Sequence, residues 1–234
     1  MVKDKRVYAV ILAAGIGSRM GADITKQKML LNGRSVIART VGTFYECDFI
    51  EKMVIVGRAE ELDYLKTELA PYAEKIHATV VGGATRLDSA RRGFLALPSE
   101  ATHIALHDGA RPLVSKATVR AVVECAVKYG AATDAGKIYD TVKRVDGNGI
   151  IRATLDRTGL AVARTPQVFD VEIYKRALQN AGDGVGITDD NMMVEALGVE
   201  LHTVVTDEPN PKITVPQDLK YAEFLLNERE AANV

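Results

Sequence analysis

The run Ala13-Ala14-Gly15-Ile16-Gly17-Ser18-Arg19-Met20-Gly21 carries one cation and is followed by Lys26-Gln27, a combination suited to holding a polyphosphate. Glycines let backbone N–H groups close on phosphate oxygens, and Arg19 and Lys26 supply the countercharge. Two standard phosphate motifs do not fit. A P-loop needs Lys-Ser/Thr after its last glycine, where Ala22-Asp23 stand, and the dinucleotide fingerprint needs glycine at position 20, where Met20 stands. Four further stretches carry groups of chemical interest, each with a plainer reading beside it. Gly82-Gly83-Ala84-Thr85-Arg86-Leu87-Asp88-Ser89 reads as a second ligand loop or as a turn with Thr85 as helix cap. His107-Asp108-Gly109-Ala110-Arg111-Pro112 offers Asp108 as a Mg²⁺ ligand or as a partner of Arg111. Asp156-Arg157 and Arg164-Thr165-Pro166-Gln167 bring two cations near one another, or are solvated charge. Asn210-Pro211-Lys212-Ile213-Thr214 places a lysine in a turn between a strand and the final helix, or is an isolated surface lysine.

The elements that must position these groups alternate. Apolar, β-branched runs at Tyr8 to Leu12, Met53 to Val56, Ala78 to Val81 and Ile104 to Leu106 predict strands, separated by segments of helical period. After Ser115 the residues Val119, Val122, Val123 and Ala126 share one helix face. Repeated βα units predict an α/β fold, a mostly parallel sheet flanked by helices, with ligands beyond the C-terminal ends of the strands. From about 139 to 165 the rhythm changes: polar strand-like runs flank Asp146-Gly147-Asn148-Gly149, predicting an inserted β-hairpin arm that is solvated or packs on a second subunit. Helices are expected at Asp170 to Asn180, Asp189 to Leu197 and Pro216 to about Glu230, with a strand at Glu200 to Val205. No repeat or linker interrupts residues 1–234, which predicts one domain.

Composition narrows the function. The 234 residues are 47% hydrophobic and balance 30 basic against 31 acidic side chains, a formal charge of −1 that argues against a nucleic-acid or anionic-membrane surface. Cys47 and Cys125 lack metal-ligand spacing, and no signal peptide or long apolar run appears, so the chain reads as a reduced cytoplasmic protein.

In their order along nearly the whole chain, these motifs resemble the polyol-phosphate cytidylyltransferase family, and within it the isoprenoid branch that uses methylerythritol phosphate. The resemblance runs through the first glycine-rich loop with Lys26-Gln27, Gly82-Gly83-x-x-Arg86-x-x-Ser89, His107-Asp108-x-Ala110-Arg111-Pro112 and Asp140-Thr141-Val142-Lys143. It continues through Asp156-Arg157, Thr165-Pro166-Gln167, Thr188-Asp189-Asp190 and Lys212-Ile213-Thr214. It implies a Rossmann-like nucleotidyltransferase fold, a homodimer exchanging hairpin arms, and CTP with Mg²⁺ as cosubstrates. By the same resemblance Arg19, Lys26, Arg157 and Lys212 are the catalytic cations. Ala13, Ala14, Gly15, Gly17, Gly83 and Ser89 would lie against the nucleotide. Asp108, Arg111, Thr141, Arg157, Thr165 and Lys212 would place the polyol phosphate, with Asp108 also the candidate Mg²⁺ ligand and Arg157 and Thr141 supplied by the partner's arm. The chain departs from the family pattern at Thr25, where Pro is frequent, at Lys28, where an aromatic residue is common, and at Ala84, Gly109 and Ala161. Competing readings are a ribitol-phosphate cytidylyltransferase, a sugar-1-phosphate nucleotidyltransferase and a catalytically silent nucleotide-binding protein. The chemistry of the first reading is consistent with the absence of an evident general base, because a phosphate monoester with a second pKa of about 6 is already a nucleophilic dianion.

Overall fold

A computed structural model describes residue 2, residues 4–15 and residues 25–232. Its strands are β1 (Val7–Leu12), β2 (Leu30–Leu31), β3 (Arg34–Ser35), β4 (Ile50–Gly57), β5 (Ile76–Val81), β6 (His103–Asp108), β7 (Ala131–Lys137), β8 (Lys143–Val145), β9 (Ile151–Thr154), β10 (Ala161–Asp170) and β11 (His202–Val205). Its helices are α1 (Val36–Tyr45), α2 (Leu62–Glu68), α3 (Arg86–Leu95), α4 (Lys116–Tyr129), α5 (Val171–Asn180), α6 (Asp190–Glu195) and α7 (Pro216–Ala232). Among the described residues seven strands form one sheet in the order β11-β7-β10-β6-β1-β4-β5. All its neighbours pair parallel except β10, which runs antiparallel to β6 and β7. The mostly parallel, helix-flanked sheet expected from the sequence is what the chain forms.

β1 lies near the middle of that sheet and is buried along its whole length. Val7, Ala9 and Ile11 pack with α1 and α4, while Val10 and Leu12 pack with residues of α3, α5 and α6 on the opposite face. Alternation of period two with both faces apolar is why β1 reads as a continuous hydrophobic run. The helix face foreseen after Ser115 is α4, with Val119, Val122, Val123 and Ala126 all buried and Ser115 capping its N-terminus. A third apolar cluster, Leu31, Val36, Leu113, Ile213 and Ala222, seats α7.

The inserted hairpin is narrower than the composition of 139–165 indicates. Its ladder pairs only β8 with β9. Asp146 Oδ1 accepts hydrogen bonds from the N–H groups of Asn148 and Ile150, each at 3.0 Å, closing the turn. Residues from Ala161 onward already belong to the main sheet, where Ala161–Ala163 pair with β7. β10 was not evident from the sequence because Pro166 sits inside it, and proline removes a ladder donor. The strand accommodates Pro166 at a register shift between Ala163 and Gln167.

α3 bears directly on the site, since it carries Arg86 and Ser89, and it approaches the sheet through Gly93. A Cβ on Gly93 would stand 2.4 Å from Val10 Cγ1 and 2.9 Å from Val56 Cγ2. Gly93→Val is therefore expected to lower the free energy of unfolding by about 1–3 kcal/mol through overpacking. Gly147→Ala, in the hairpin turn with nothing within 4 Å, is expected to change it little; urea denaturation of the two variants beside the parent chain checks both.

Candidate active site

The C-terminal ends of β1, β4, β5 and β6 open into a cavity of about 580 Å³ lined by Ala14, Gly15, Lys26, Gln27, Arg58, Gly83, Arg86, Ser89, Asp108 and Lys212, among others. Its floor is Asp108, the last residue of β6, whose side chain is 10% exposed. Lys212 Nζ lies 2.8 Å from Asp108 Oδ2, Arg111 Nε 3.6 Å from the same oxygen, and Arg86 Nε 3.4 Å from Oδ1. Burial alone would raise the Asp108 carboxyl, but Arg86, Lys212 and Arg111 outweigh it and hold the group well below the usual carboxylate range.

Each of the three cations is fixed from a different part of the chain. Arg86 opens α3 behind a reciprocal cap, in which Thr85 Oγ1 accepts from Asp88 N at 3.0 Å and Asp88 Oδ2 accepts from Thr85 N at 3.1 Å. Its Nη1 lies 2.6 Å from Asp190 Oδ2, and Tyr174 donates to Asp190 Oδ1 at 2.7 Å. Burial works against the Arg86 cation, yet Asp190 and then Asp108 more than offset it and raise its pKa. Arg111 donates to the carbonyl of Asn210 at 2.7 Å, and Asn210 in turn donates to Asp134 Oδ2 and to the carbonyl of Thr165, both at 2.8 Å. Lys212 sits in a loop pinned on its C-terminal side, where Ile213 N donates to the carbonyl of Ala110 at 2.8 Å and Asp218 Oδ2 accepts from Thr214 N and Val215 N.

The residues proposed from sequence divide by location. Ala14, Gly15, Lys26, Gly83, Ser89, Asp108 and Lys212 line the cavity together. Arg111 and Thr165 stand behind Asp108 as braces: Thr165 Oγ1 accepts from Asp108 N at 3.1 Å. Ala13 is buried and its carbonyl accepts from Gln27 Nε2 at 2.9 Å. Arg157 and Thr141 do not line this cavity; Arg157 lines a second hollow of about 560 Å³ with Tyr139, Thr158, Leu160 and Val205, and donates to the carbonyl of Tyr139. Gly17 and Arg19 lie outside the described residues.

Gly83 is glycine for a local reason as well. A Cβ there would stand 2.1 Å from Asp88 Cβ, inside the cap of α3, and its N–H donates to Ser89 Oγ at 3.1 Å. Asp190 and Asn210 lie in stretches that the sequence marked, but without a role, and Asp134 and Glu61 were not marked, because the partners of all four are distant in sequence. Arg86 had a signal, its place just after a cap at a strand end, which marks a side chain aimed at the ligand edge of the sheet.

His107, beside Asp108, is fully buried against Phe44, ring centroids 4.9 Å apart, and its Nε2–H donates to the Arg111 carbonyl at 3.2 Å. Burial pushes its pKa down from 6.5 to about 4. The unfolded chain therefore binds a proton near pH 6.5 that the folded chain refuses until about pH 4. The stability this neutral imidazole contributes is intact above that window and is lost as pH falls through it. Asp108 stays ionised throughout. The loss expected between pH 7 and 4 from this group is on the order of 3 kcal/mol, and His107→Gln is expected to flatten the slope, read from urea midpoints at pH 7, 5.5 and 4.5.

The model of one family, described as IspD, 2-C-methyl-D-erythritol 4-phosphate cytidylyltransferase, matches residues 7–228. The 2-C-methyl-D-erythritol 4-phosphate cytidylyltransferase of Prochlorococcus marinus is 40% identical over 221 residues, covering 94% of this chain and 98% of its own. That of Desulforamulus reducens is 39% identical over 227 residues, covering 95% and 97%. Among solved structures, the 4-diphosphocytidyl-2C-methyl-D-erythritol synthase of Anaerococcus prevotii superposes with a TM-score of 0.86 at 28% identity, over 97% of this chain and 98% of that one.

Proposed function

The chain belongs to the 2-C-methyl-D-erythritol 4-phosphate cytidylyltransferase family, and from that membership we infer that it transfers the cytidylyl group of CTP to 2-C-methyl-D-erythritol 4-phosphate. The products are 4-diphosphocytidyl-2-C-methyl-D-erythritol and pyrophosphate, a step of non-mevalonate isoprenoid precursor synthesis carried out in the cytoplasm. No helix among the described residues is long and apolar enough to cross a membrane. The observation that carries the reading is the cavity in which Lys26 and Lys212 face the same space above a carboxylate already held by cations.

In the reaction an oxygen of the methylerythritol phosphate dianion bonds to the α-phosphorus of CTP as the bond to the bridging oxygen breaks, and that electron pair leaves with pyrophosphate. No proton has to be removed first. The work left to the protein is to bring two polyanions together and stabilise the charge on the α-phosphate and the leaving group. Lys26, with Arg19, grips the triphosphate; Lys212 reaches the α-phosphate and the incoming phosphate. Gly83 and Ser89 line the wall against which cytidine rests.

Among the described residues the carboxylates lining the cavity are Glu60 and Asp108, and both oxygens of Asp108 are engaged by cations. That donor set does not fit a protein-held Mg²⁺, which prefers carboxylates of its own. A divalent cation would enter with the triphosphate, whose oxygens hold it.

The arm completes the site in a homodimer. What supports this is the apolar surface it exposes, with Tyr139 74%, Ile151 60% and Val145 54% accessible, and the place of Arg157 away from the cavity of its own chain. The partner's Arg157 and Thr141 would then close over the polyol phosphate. Gly109-Ala110 and Thr188-Asp189-Asp190 support methylerythritol over ribitol phosphate by their resemblance to the isoprenoid branch; the turn at Gly109 is close-packed, a Cβ there standing 3.0 Å from Ile37 Cδ1 and 3.1 Å from the Leu12 carbonyl.

A pyrophosphate-release assay crossing the four common nucleoside triphosphates with the two polyol phosphates is expected to give signal for CTP with methylerythritol phosphate and little elsewhere; turnover preferring ribitol phosphate, or none with any pair, overturns the reading. Lys26→Ala and Arg19→Ala are each expected to lower turnover roughly 10²–10³-fold with the circular dichroism spectrum unchanged. Co-expression of Lys26→Ala with Arg157→Ala chains tests the arm. Exchange makes one intact site per mixed dimer, so activity should recover to about a quarter of the parent's; no recovery above either variant alone places Arg157 in its own subunit's site or in none.

A further inference from the structure

Two lysines flank Gln27, and they are treated differently. Lys26 lines the cavity, with its Nζ 3.7 Å from where a Cβ on Gly15 would stand. Lys28 turns to the outside, its Nζ 3.5 Å from Glu61 Oε1 and 4.8 Å from the centroid of the Tyr64 ring. The same Glu61 oxygen accepts from Thr25 Oγ1 at 2.6 Å. Residues 25–28 form one turn, closed by Lys28 N donating to the Thr25 carbonyl at 3.0 Å. Glu61 therefore holds both ends of the turn on whose second residue Lys26 stands.

Glu61 is built to do this. Its side chain is 5% exposed, and it ends the short segment Ala59–Glu61 that leads from β4 into α2. Its immediate predecessors Arg58, Ala59 and Glu60 form one wall of the cavity. A carboxylate out of water is costly unless paired, and here its partners are Thr25 and Lys28. The inner side of the turn has its own anchor, Gln27, which donates to the Ala13 carbonyl and accepts Ile37 N at 3.2 Å through its backbone. Gln27 fixes the turn against β1 without deciding which lysine faces the cavity. Glu61 supplies that decision by binding the ammonium of Lys28 and the hydroxyl of Thr25, and these are two of the positions at which the chain departs from the family pattern.

We propose that Glu61 is a positioning residue for the reaction: by pinning Thr25 and Lys28 it sets the backbone of the turn so that Lys26 enters the triphosphate site and Lys28 does not. The proposal rests on the reading of Lys26 as a triphosphate contact. Misplacing a charge donor by about 1 Å is enough to cost rate with little change in fold.

The test is steady-state kinetics of the full chain with CTP and methylerythritol phosphate. Glu61→Gln keeps an acceptor for Thr25 but drops the charge that holds Lys28, and Thr25→Val drops the hydrogen bond; each is expected to lower kcat about 10-fold, with the KM for the polyol phosphate within about two-fold of the parent. The decisive readout is the double variant. Glu61→Gln/Lys26→Ala should be no slower than Lys26→Ala alone, because Glu61 acts through Lys26. Parent-like kinetics in Glu61→Gln and Thr25→Val, or a double variant slowed by the product of the two single effects, overturns the proposal while leaving the role of Lys26 standing. A normal Lys26→Ala overturns both, so the two failures are told apart. Should Glu61→Gln not fold, Thr25→Val/Lys26→Ala gives the same cycle from a half-buried position.

Discussion

One buried carboxylate organises the ligand end of this molecule. Asp108 has no place at the end of an interior strand unless its charge is met, and Lys212, Arg86 and Arg111 meet it from the C-terminal loop, from α3 and from its own turn. Breaking a buried ionic contact leaves an uncompensated charge, at a cost of about 3–5 kcal/mol. Each of these segments is thereby held to a fixed place over the sheet. Asp190 takes the other side of Arg86, Asp134 lies beyond Arg111 through Asn210, and of the three cations Arg86 and Lys212 line the cavity.

The antiparallel strand explains how distant pieces reach that end. β10 crosses the sheet in the opposite sense to β6, so its N-terminal half lies beside the C-terminal end of β6; Gln167 pairs with Leu106, and Thr165 reaches Asp108 N. For the same reason the chain between β7 and β10, with the β8–β9 hairpin and Arg157, leaves from the edge of the sheet where ligands bind. A parallel β10 would have required the chain to return to the opposite edge first, and the arm would hang from the wrong side. Pro166 within β10 is tolerated at the register shift.

What could be read from the sequence follows from what each element depends on. β1, β4, β6 and α4 were legible because their burial is written in local periodicity. β7, Ala-Ala-Thr-Asp-Ala-Gly-Lys, was not: its residues are weak strand formers, and Asp134 in its centre is buried only because Asn210 and Thr206 supply donors from more than 70 residues away. The site divides in the same way. The glycine-rich loops, Asp108 and Lys212 announce themselves by residue type at strand ends, while Asp190, Asn210 and Glu61 act through partners that only the fold brings near. Arg111 and Thr165, expected from the sequence as contacts of the polyol phosphate, lie behind the carboxylate.

Three cations on one carboxylate exceed what Asp108 needs to stay ionised, and the excess has a use. Lys212 is the most exposed of them, its side chain 36% accessible against 29% for Arg86 and 13% for Arg111. It faces both Asp108 and the cavity. On the proposed role of Lys212, its ammonium would shift toward an arriving phosphate while Arg86 and Arg111, tied back to Asp190 and Asn210, keep Asp108 paired. A carboxylate held by Lys212 alone would be left bare in a low-dielectric site at the moment of reaction, and part of the phosphate's binding energy would be lost to that penalty. The two braced arginines keep the floor of the site paired wherever the Lys212 ammonium lies, so the contacts that hold that floor together also suit the role proposed for its lysine.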